Sequence, residues 1–144
     1  MKNKEKDLCL VLDLFLCDKV SFERKGFKNE NKLQSYYSIG NEKCEGNDNE
    51  YRVVLRYRGV KKDEYEIEVI VSGYFYTEDC DEDVTKQLIK YNSIAILMPF
   101  LRGKVATVSS QFEIDPIIIP VINTDDFVDK YFINEEEEKN EWRK

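Results

Sequence analysis

The chain has 144 residues, of which 42% are hydrophobic and 35% charged, a balance typical of one soluble globular domain. Its formal net charge of −7 argues against nucleic acid and anionic lipid as general partners, because both would repel an acidic surface. The sequence contains no histidine, which removes the commonest general base and the commonest metal ligand.

The cysteines and the N-terminus bear on cellular location. Four cysteines are present, and none of them lies in a C-x-x-C pair, so we expect no zinc site. The segment MKNKEKDLCLVLDLFLC resembles a signal sequence, but Asp7 and Asp13 interrupt its apolar run and Leu16 is too large for a cleavage site. The uncharged stretch 94–101 is far shorter than the roughly 20 residues of a spanning helix. We therefore expect reduced thiols, a cytoplasmic location and no membrane insertion.

Alternating apolar residues predict strands in the first half of the chain. Leucines at every second position from Leu8 to Leu16 predict a long strand with the leucines on one face and Asp13 on the other. Residues 33–39 predict a second strand of the same kind.

A hairpin is predicted next, from YRVVLRYR (51–58) and EYEIEVIV (64–71) with a turn in GVKKD (59–63). Each strand has an apolar face and a charged face. Pairing Tyr57 with Tyr65 would place both apolar faces on one side of the sheet and set arginines opposite glutamates on the other.

Helical spacing replaces alternation in the second half. Residues 84–91 predict a short helix, and Pro99 suits the first turn of a second one. The prolines of PIIIPVI (116–122) favour an extended segment, and Thr124 or Asp125 would cap a last helix. The apolar stripe of the second helix would consist of Leu101, Val105, Val108 and Phe112.

Four strands followed by two or three helices indicate an α+β domain, with an antiparallel sheet and the helices packed on it. We assign residues 1–134 to this single domain and residues 135–144 to a charged, mobile C-terminal tail.

The sequence indicates binding rather than catalysis. It contains no phosphate loop, no nucleophile elbow and no cysteine–histidine pair, so we expect no enzyme activity. Nine tyrosines and eight phenylalanines would suit a groove for unfolded segments, because apolar contact is non-directional. The same residues would also fill a core and a subunit interface, and composition alone favours that plainer interpretation.

Several segments resemble the SecB protein-export chaperones. NSIAILMPFLRGKVATVSSQF (92–112) is similar to the family's run of Asn, Ile-Leu, an apolar residue, Pro, an aromatic residue, one further residue and Arg. PIIIPVIN (116–123) resembles the family's Pro, alternating aliphatics and Pro-Val-Asn. DKVSFE (18–23), EYRVVLR (50–56) and SGYF (72–75) resemble parts of its first, third and fourth strands.

This resemblance extends over residues 8–132 and implies a SecB-like domain that assembles as a homotetramer, a dimer of dimers. It implies an ATP-independent holdase that keeps unfolded preproteins competent for export and hands them to the SecA motor of the Sec translocon. It implies no cofactor.

The resemblance also implies three sets of binding residues. The tetramer interface would contain Ile67, Val69, Val71, Leu101, Val105 and Val108. The acidic face that docks SecA would contain Asp18, Glu23 and Glu68. The client groove would contain Tyr74, Phe75, Phe100, Ile117, Ile118, Ile119, Phe127 and Tyr131.

Two departures from the family pattern bear on the SecA partner. Lys19 stands where the family has an acid, and Glu66 stands where it has a docking leucine. They motivate a second hypothesis, a SecB-like chaperone dedicated to one client such as the antitoxin of a toxin–antitoxin system. A third hypothesis is a non-catalytic interaction domain whose apolar residues serve only oligomerisation.

Overall fold

The structure, a computed structural model, describes residues 10–46, 49–78 and 81–132. Its elements are β1 (Leu10–Arg24), β2 (Leu33–Lys43), β3 (Glu50–Lys61), β4 (Tyr65–Thr77), α1 (Glu82–Gln87), a π-helical turn (Leu88–Asn92), α2 (Ser93–Ser109) and α3 (Thr124–Tyr131). Strands are followed by helices, as predicted. The tail predicted at 135–144 lies outside the described residues.

The four strands form one antiparallel sheet in the order β1-β4-β3-β2, so that β1 and β2 are its edges. α2 packs on one face, where Leu97 and Leu101 are completely buried together with Leu55 of β3. No described helix covers the opposite face, which we call the helix-free face. On β4 it is formed by the alternate residues from Glu66 to Tyr76.

β1 departs from the predicted alternation at two β-bulges, which fall at Asp13 and Asp18. Each bulge inserts one residue, so the side chains beyond it change face. Leu12 still faces the core, but Leu14 and Leu16 lie on the helix-free face with 48% and 40% of their surface exposed. The prediction of one unbroken leucine face was therefore wrong beyond Leu12.

The β3–β4 hairpin is longer than predicted. Tyr57 lies opposite Val69, four residues further along β4 than the expected partner Tyr65, which pairs instead with Lys61. The shift is an even number of residues, so both apolar stripes still share the core face. The turn is therefore confined to residues 62–64.

The short turn depends on Asp63, whose φ of 63° lies in the left-handed region. Aspartate tolerates this conformation better than most residues, and such a residue is typical of three-residue hairpin loops. The Glu64 amide donates to the carbonyl oxygen of Lys61 at 2.9 Å and closes the turn.

Gly59 serves packing within β3 and not a turn. A β-carbon at this position would lie 2.7 Å from Tyr57 Oη, which is hydrogen-bonded to Ser35 Oγ at 2.9 Å. We expect Gly59→Ala to lower the free energy of unfolding by about 1–3 kcal/mol, as overpacking does. Urea unfolding measures the change.

The control for this substitution is Gly103→Ala, because a β-carbon there would meet no atom within 4 Å and the position lies in α2. This change should be neutral or stabilising by up to about 1 kcal/mol. Equal effects of the two substitutions would contradict the packing role of Gly59.

α2 begins at Ser93, so the prediction that Pro99 occupies the first turn was wrong: Pro99 lies inside the helix. α3 begins as predicted near residue 124, but its N-cap is Asn123, whose side chain accepts from the Asp126 amide at 3.0 Å. Within the described ranges, no helix combines the length and the apolar character needed to span a bilayer.

Five of the six residues expected at a tetramer interface belong to the core of the single chain. Their side chains are at most 1% exposed, which leaves no surface to contribute to a contact with another subunit. Only Val108 of α2 is partly exposed. The assignment is therefore corrected for Ile67, Val69, Val71, Leu101 and Val105.

Candidate functional site

A groove runs along the free edge of β2, between that strand and the extended loop 116–120. Its cavity measures about 270 Å³. Ile117 and Ile119 point inward and are almost fully buried, whereas Ile118 is 69% exposed at the rim. The sheet side of the groove is formed by Leu33, Ser35, Tyr37 and Tyr65.

The loop is extended because Pro116 and Pro120 keep their preceding residues out of the helical region. Two hydrogen bonds fasten it to α2. The Ile117 amide donates to Ser109 Oγ at 2.8 Å, and Arg102 Nε donates to the Ile119 carbonyl at 3.0 Å. The rim that carries Ile118 is therefore fixed at both neighbouring residues.

An aromatic cluster follows on β2 and joins the strand to α3. The Tyr37 ring lies 5.1 Å from Phe127 and 5.3 Å from Tyr131. Burial, together with the nearby Tyr57 and Tyr131 hydroxyls, raises the pKa of Tyr37 to about 12, so its hydroxyl is neutral at physiological pH. Just after α3, Phe132 forms a parallel bridge with Ile39.

The residues expected in a client groove fall into two groups. Ile117, Ile118 and Ile119 line the cavity. Tyr131 lies beside it through its contact with Tyr37, whereas Phe127, which also contacts Tyr37, is buried in the core. Tyr74, Phe75 and Phe100, the other three residues of that set, are not part of the cavity lining.

Three expected groove residues do not line the groove. Phe75 is completely buried in the core, and Tyr74 lies on the helix-free face because neighbouring residues of a strand point to opposite faces. Phe100, 46% exposed, stacks on Phe15 of β1 with ring centroids 4.5 Å apart. Leu33 and Tyr37 were not predicted as groove residues, although both share the apolar face of β2.

A second cavity of about 320 Å³ adjoins the groove at the end of the sheet. Lys61, Tyr65 and Asp115 line both cavities, which are therefore neighbours. Its outer wall is the loop 25–31 after β1, which carries Phe27.

Glu64 holds this loop in place. Its carboxylate accepts hydrogen bonds from the amides of Glu30 and Asn31 at 2.9 Å each, and its carbonyl oxygen accepts from the Lys25 amide at 2.8 Å. Burial alone would raise the pKa of Glu64, but the amide hydrogen bonds from Asn31 and Glu30 and the nearby Lys61 outweigh it and hold the pKa below its usual value.

We expect the stability of the fold to depend on the Glu64 carboxylate. Because the pKa of Glu64 is lowered in the folded state, its contribution is present above the unfolded value of about 4.3 and is lost as the pH falls through the folded value. Glu64→Gln should therefore flatten the decline in unfolding free energy between about pH 5 and pH 2. Glu45→Gln, in the exposed β2–β3 loop, should keep the wild-type decline, and identical pH profiles for all three proteins would contradict the role of Glu64.

The three acids expected to dock SecA do lie together on the helix-free face, but two of them are paired with cations. Asp18 contacts Arg52 at 3.2 Å, and Glu68 contacts Lys19 at 2.7 Å. Glu23 lies opposite Glu66 at the same end of this face. The face is therefore a charge-balanced surface and not a purely acidic one.

Within residues 10–46, 49–78 and 81–132, no three Cys, Asp or Glu side chains are grouped as metal ligands would be. Cys17 and Cys44 are free thiols. Cys9 and Cys80 lie outside the described residues.

No protein-family model matches the chain. An uncharacterized protein of Methanocaldococcus jannaschii, MJ0357, is 35% identical to it over 57 residues, which make up 40% of this chain and 37% of that protein. The match thus spans little more than a third of the relative's length. A protein of unknown function from Streptococcus agalactiae gives a TM-score of 0.45 at 9% identity, covering 78% of this chain and 97% of that one.

A solved structure matches the whole architecture more closely. It is the SecB-like chaperone Rv1957 of Mycobacterium tuberculosis in complex with a ChAD peptide from the antitoxin HigA1, Rv1956. The TM-score is 0.67 at 8% sequence identity, and the match covers 84% of this chain and 93% of that one. The chain therefore has the SecB-like fold that the sequence resemblance predicted.

Proposed function

We propose that the chain is a non-catalytic, ATP-independent chaperone that holds extended segments of non-native polypeptides in the groove between β2 and loop 116–120. The observation that carries the proposal is the open apolar groove at a sheet edge, with Ile118 exposed at its rim.

The chemistry of the groove suits unfolded chains as a class. Its isoleucine, leucine and tyrosine side chains offer apolar contact that does not depend on a particular partner sequence. β2 is an edge strand, and an extended segment laid beside residues 33–37 would add main-chain hydrogen bonds. The SecB-like neighbour that holds a peptide supports this mode of action, although a shared fold alone does not establish it.

A light-scattering assay tests the proposal. The wild-type chain, without nucleotide and at stoichiometric ratio, should delay the aggregation of a chemically unfolded preprotein. An unchanged rate of aggregation, together with no binding of unfolded peptides, would instead favour a non-catalytic interaction domain that serves only assembly.

Two hypotheses describe where the client goes after it is held. In the first, the chain holds preproteins in the cytoplasm and hands them to SecA. In the second, it is dedicated to one client, such as an antitoxin. The pairing of Asp18 with Arg52 and of Glu68 with Lys19 favours the second, because it offsets the charge with which a basic docking partner would interact. Tight binding of a SecA C-terminal peptide would instead favour the first hypothesis, hand-over of preproteins to SecA.

Self-association as a dimer of dimers is part of the proposal, and exposed apolar residues on β1 and α2 are its best contact surface. Leu14, Leu16, Val20 and Phe100 are each 40–48% exposed, and β1 is the other open edge of the sheet. Such an edge favours pairing with another chain.

We expect Leu16→Glu to reduce the assembly to smaller species while the fold is retained. The glutamate carboxylate would have to lose its water when it enters an apolar contact between subunits. Size exclusion with multi-angle light scattering measures the mass. Val84→Glu, at a similarly exposed position in α1, is the control and should leave the mass unchanged. If the Leu16→Glu protein has the wild-type mass, the contact between subunits does not lie on β1.

A further inference from the structure

The chain leaves α3 beside the groove. The Tyr131 ring at the end of α3 lies 5.3 Å from the ring of Tyr37, which lines the groove. Phe132 then forms a parallel bridge with Ile39 of the same strand, β2. The C-terminal segment that follows, residues 133–144, lies outside the described residues, and its sequence is INEEEEKNEWRK. This segment, which starts next to the groove, contains the only tryptophan of the chain.

That tryptophan, Trp142, can reach the groove and fits in it. It lies ten residues after Phe132, and an extended chain of that length spans up to about 33–36 Å. The parallel bridge directs the chain away from Tyr37, so the segment has to turn back, for which about four residues suffice. The cavity of about 270 Å³ is just below the usual range for ligand pockets and has room for one large side chain.

The groove also offers polar partners to this segment. Asp115 lines the cavity, and its carboxylate can accept a hydrogen bond from the indole N–H of Trp142, which acts as a donor only. Glu141 and Arg143 flank the tryptophan, and their charges are opposite to those of Lys61 and Asp115 in the groove lining. The segment therefore matches the groove in charge as well as in its apolar anchor.

Resting on the proposed function, we infer that Trp142 binds in the groove of its own chain when no client is present. A short tether gives an effective concentration of about a millimolar, so a contact that is weak between separate molecules can still occupy the groove. Such a contact shields an apolar groove at an open sheet edge from other copies of the chain. A client has to displace it, which weakens the apparent client affinity in proportion to the fraction of occupied grooves.

Trp142 itself reports the contact. Because it is the only tryptophan, its fluorescence emission in the full chain has a single source. We expect the wild-type chain to emit at shorter wavelength than the urea-unfolded chain, and Ile118→Asp, with a carboxylate at the groove rim, to emit at longer wavelength than the wild type. Val121→Asp, outside the groove lining, should keep the wild-type emission. This measurement needs no client.

Client affinity provides the second test. Fluorescence anisotropy of a fluorescein-labelled synthetic peptide of alternating leucine and serine gives the Kd. Trp142→Ser should bind the peptide about three- to tenfold more tightly than the wild type, because the groove is no longer occupied by its own chain. Trp142→Phe should bind like the wild type, since it retains an aromatic ring. Asn140→Ser, in the same segment, is the matched control and should leave the Kd unchanged.

Each outcome bears on either the intramolecular contact or the proposed function. Equal Kd values for Trp142→Ser and the wild type would overturn the inference, and weaker binding by Trp142→Ser would do the same, because Trp142 would then help to hold the client. An emission that Ile118→Asp leaves unchanged would place Trp142 elsewhere and would also overturn it. If no variant bound the peptide while the emission still responded to Ile118→Asp, the intramolecular contact would stand and the proposed function would be overturned.

Discussion

Replacement of Ile118 by aspartate should remove most of the holding activity and leave the folded, assembled protein unchanged. The side chain is 69% exposed, so the substitution costs the fold little, about 0.5 kcal/mol or less. A carboxylate at the groove rim would have to lose water whenever an apolar segment binds beside it. We expect a ten- to hundredfold rise in the Kd for an unfolded peptide, about 1.4–2.7 kcal/mol. Anisotropy titration and the aggregation assay measure the change.

The same change of charge three residues further along the chain provides the control. Val121→Asp alters a side chain that is 82% exposed, just beyond Pro120 and outside the lining of the groove. It should bind clients like the wild type. If Ile118→Asp dissociated the assembly and kept its client affinity, the loop would be a subunit contact and not part of a groove.

Val69→Asp should unfold the protomer itself. Val69 lies in β4 at the centre of the core and has no exposed surface, so a carboxylate there would be buried without a partner. The expected loss is above about 4 kcal/mol, which is comparable to the whole stability of many domains. Circular dichroism and urea unfolding measure it.

Val20→Asp is the matched control, since Val20 lies directly opposite Val69 on β1 and is 43% exposed. That variant should remain folded and lose part of its self-association. A folded, monomeric Val69→Asp protein would instead place the β4 stripe at a subunit interface, as the family resemblance first implied, and would contradict its assignment to the core.

The order of the elements could be predicted because each strand and helix carries its own periodicity. The side of the sheet to which each β1 side chain points could not be predicted. Two bulges interrupt an otherwise regular run of leucines, and nothing in the local pattern marks them. Leu14 and Leu16 are consequently exposed. A bulge is set by the pairing with β4, which is a property of the sheet and not of the strand alone.

The hairpin register shows a second limit of local patterns. GVKKD has the composition of a turn, but Gly59 is needed where the Tyr57 hydroxyl approaches β3, and the chain turns at residues 62–64 instead. The alternation of apolar and charged residues matches equally well in any two registers that differ by an even number of residues, so it does not distinguish them. For the same reason the apolar stripes were placed on the correct face, although the register was wrong: Arg58 lies opposite Glu68 and Arg56 lies opposite Ile70.

The candidate site could be predicted in part. The extended loop 116–120 follows directly from its two prolines, and the resemblance directed attention to Ile117–Ile119, Phe127 and Tyr131. Tyr37 of β2 was missed, because it reaches α3 and the groove only through tertiary contacts between distant segments. Conversely, the resemblance also implied Phe75, although its strand position directs it into the core.

Hydrogen exchange of backbone amides, with and without a bound unfolded client, tests the central claim most directly. If the groove holds the client, protection should rise in residues 33–37 of β2 and in loop 116–120. Protection confined to β1, around Leu14–Val20, with the groove unchanged would show that clients bind at the other edge of the sheet, and would contradict the account.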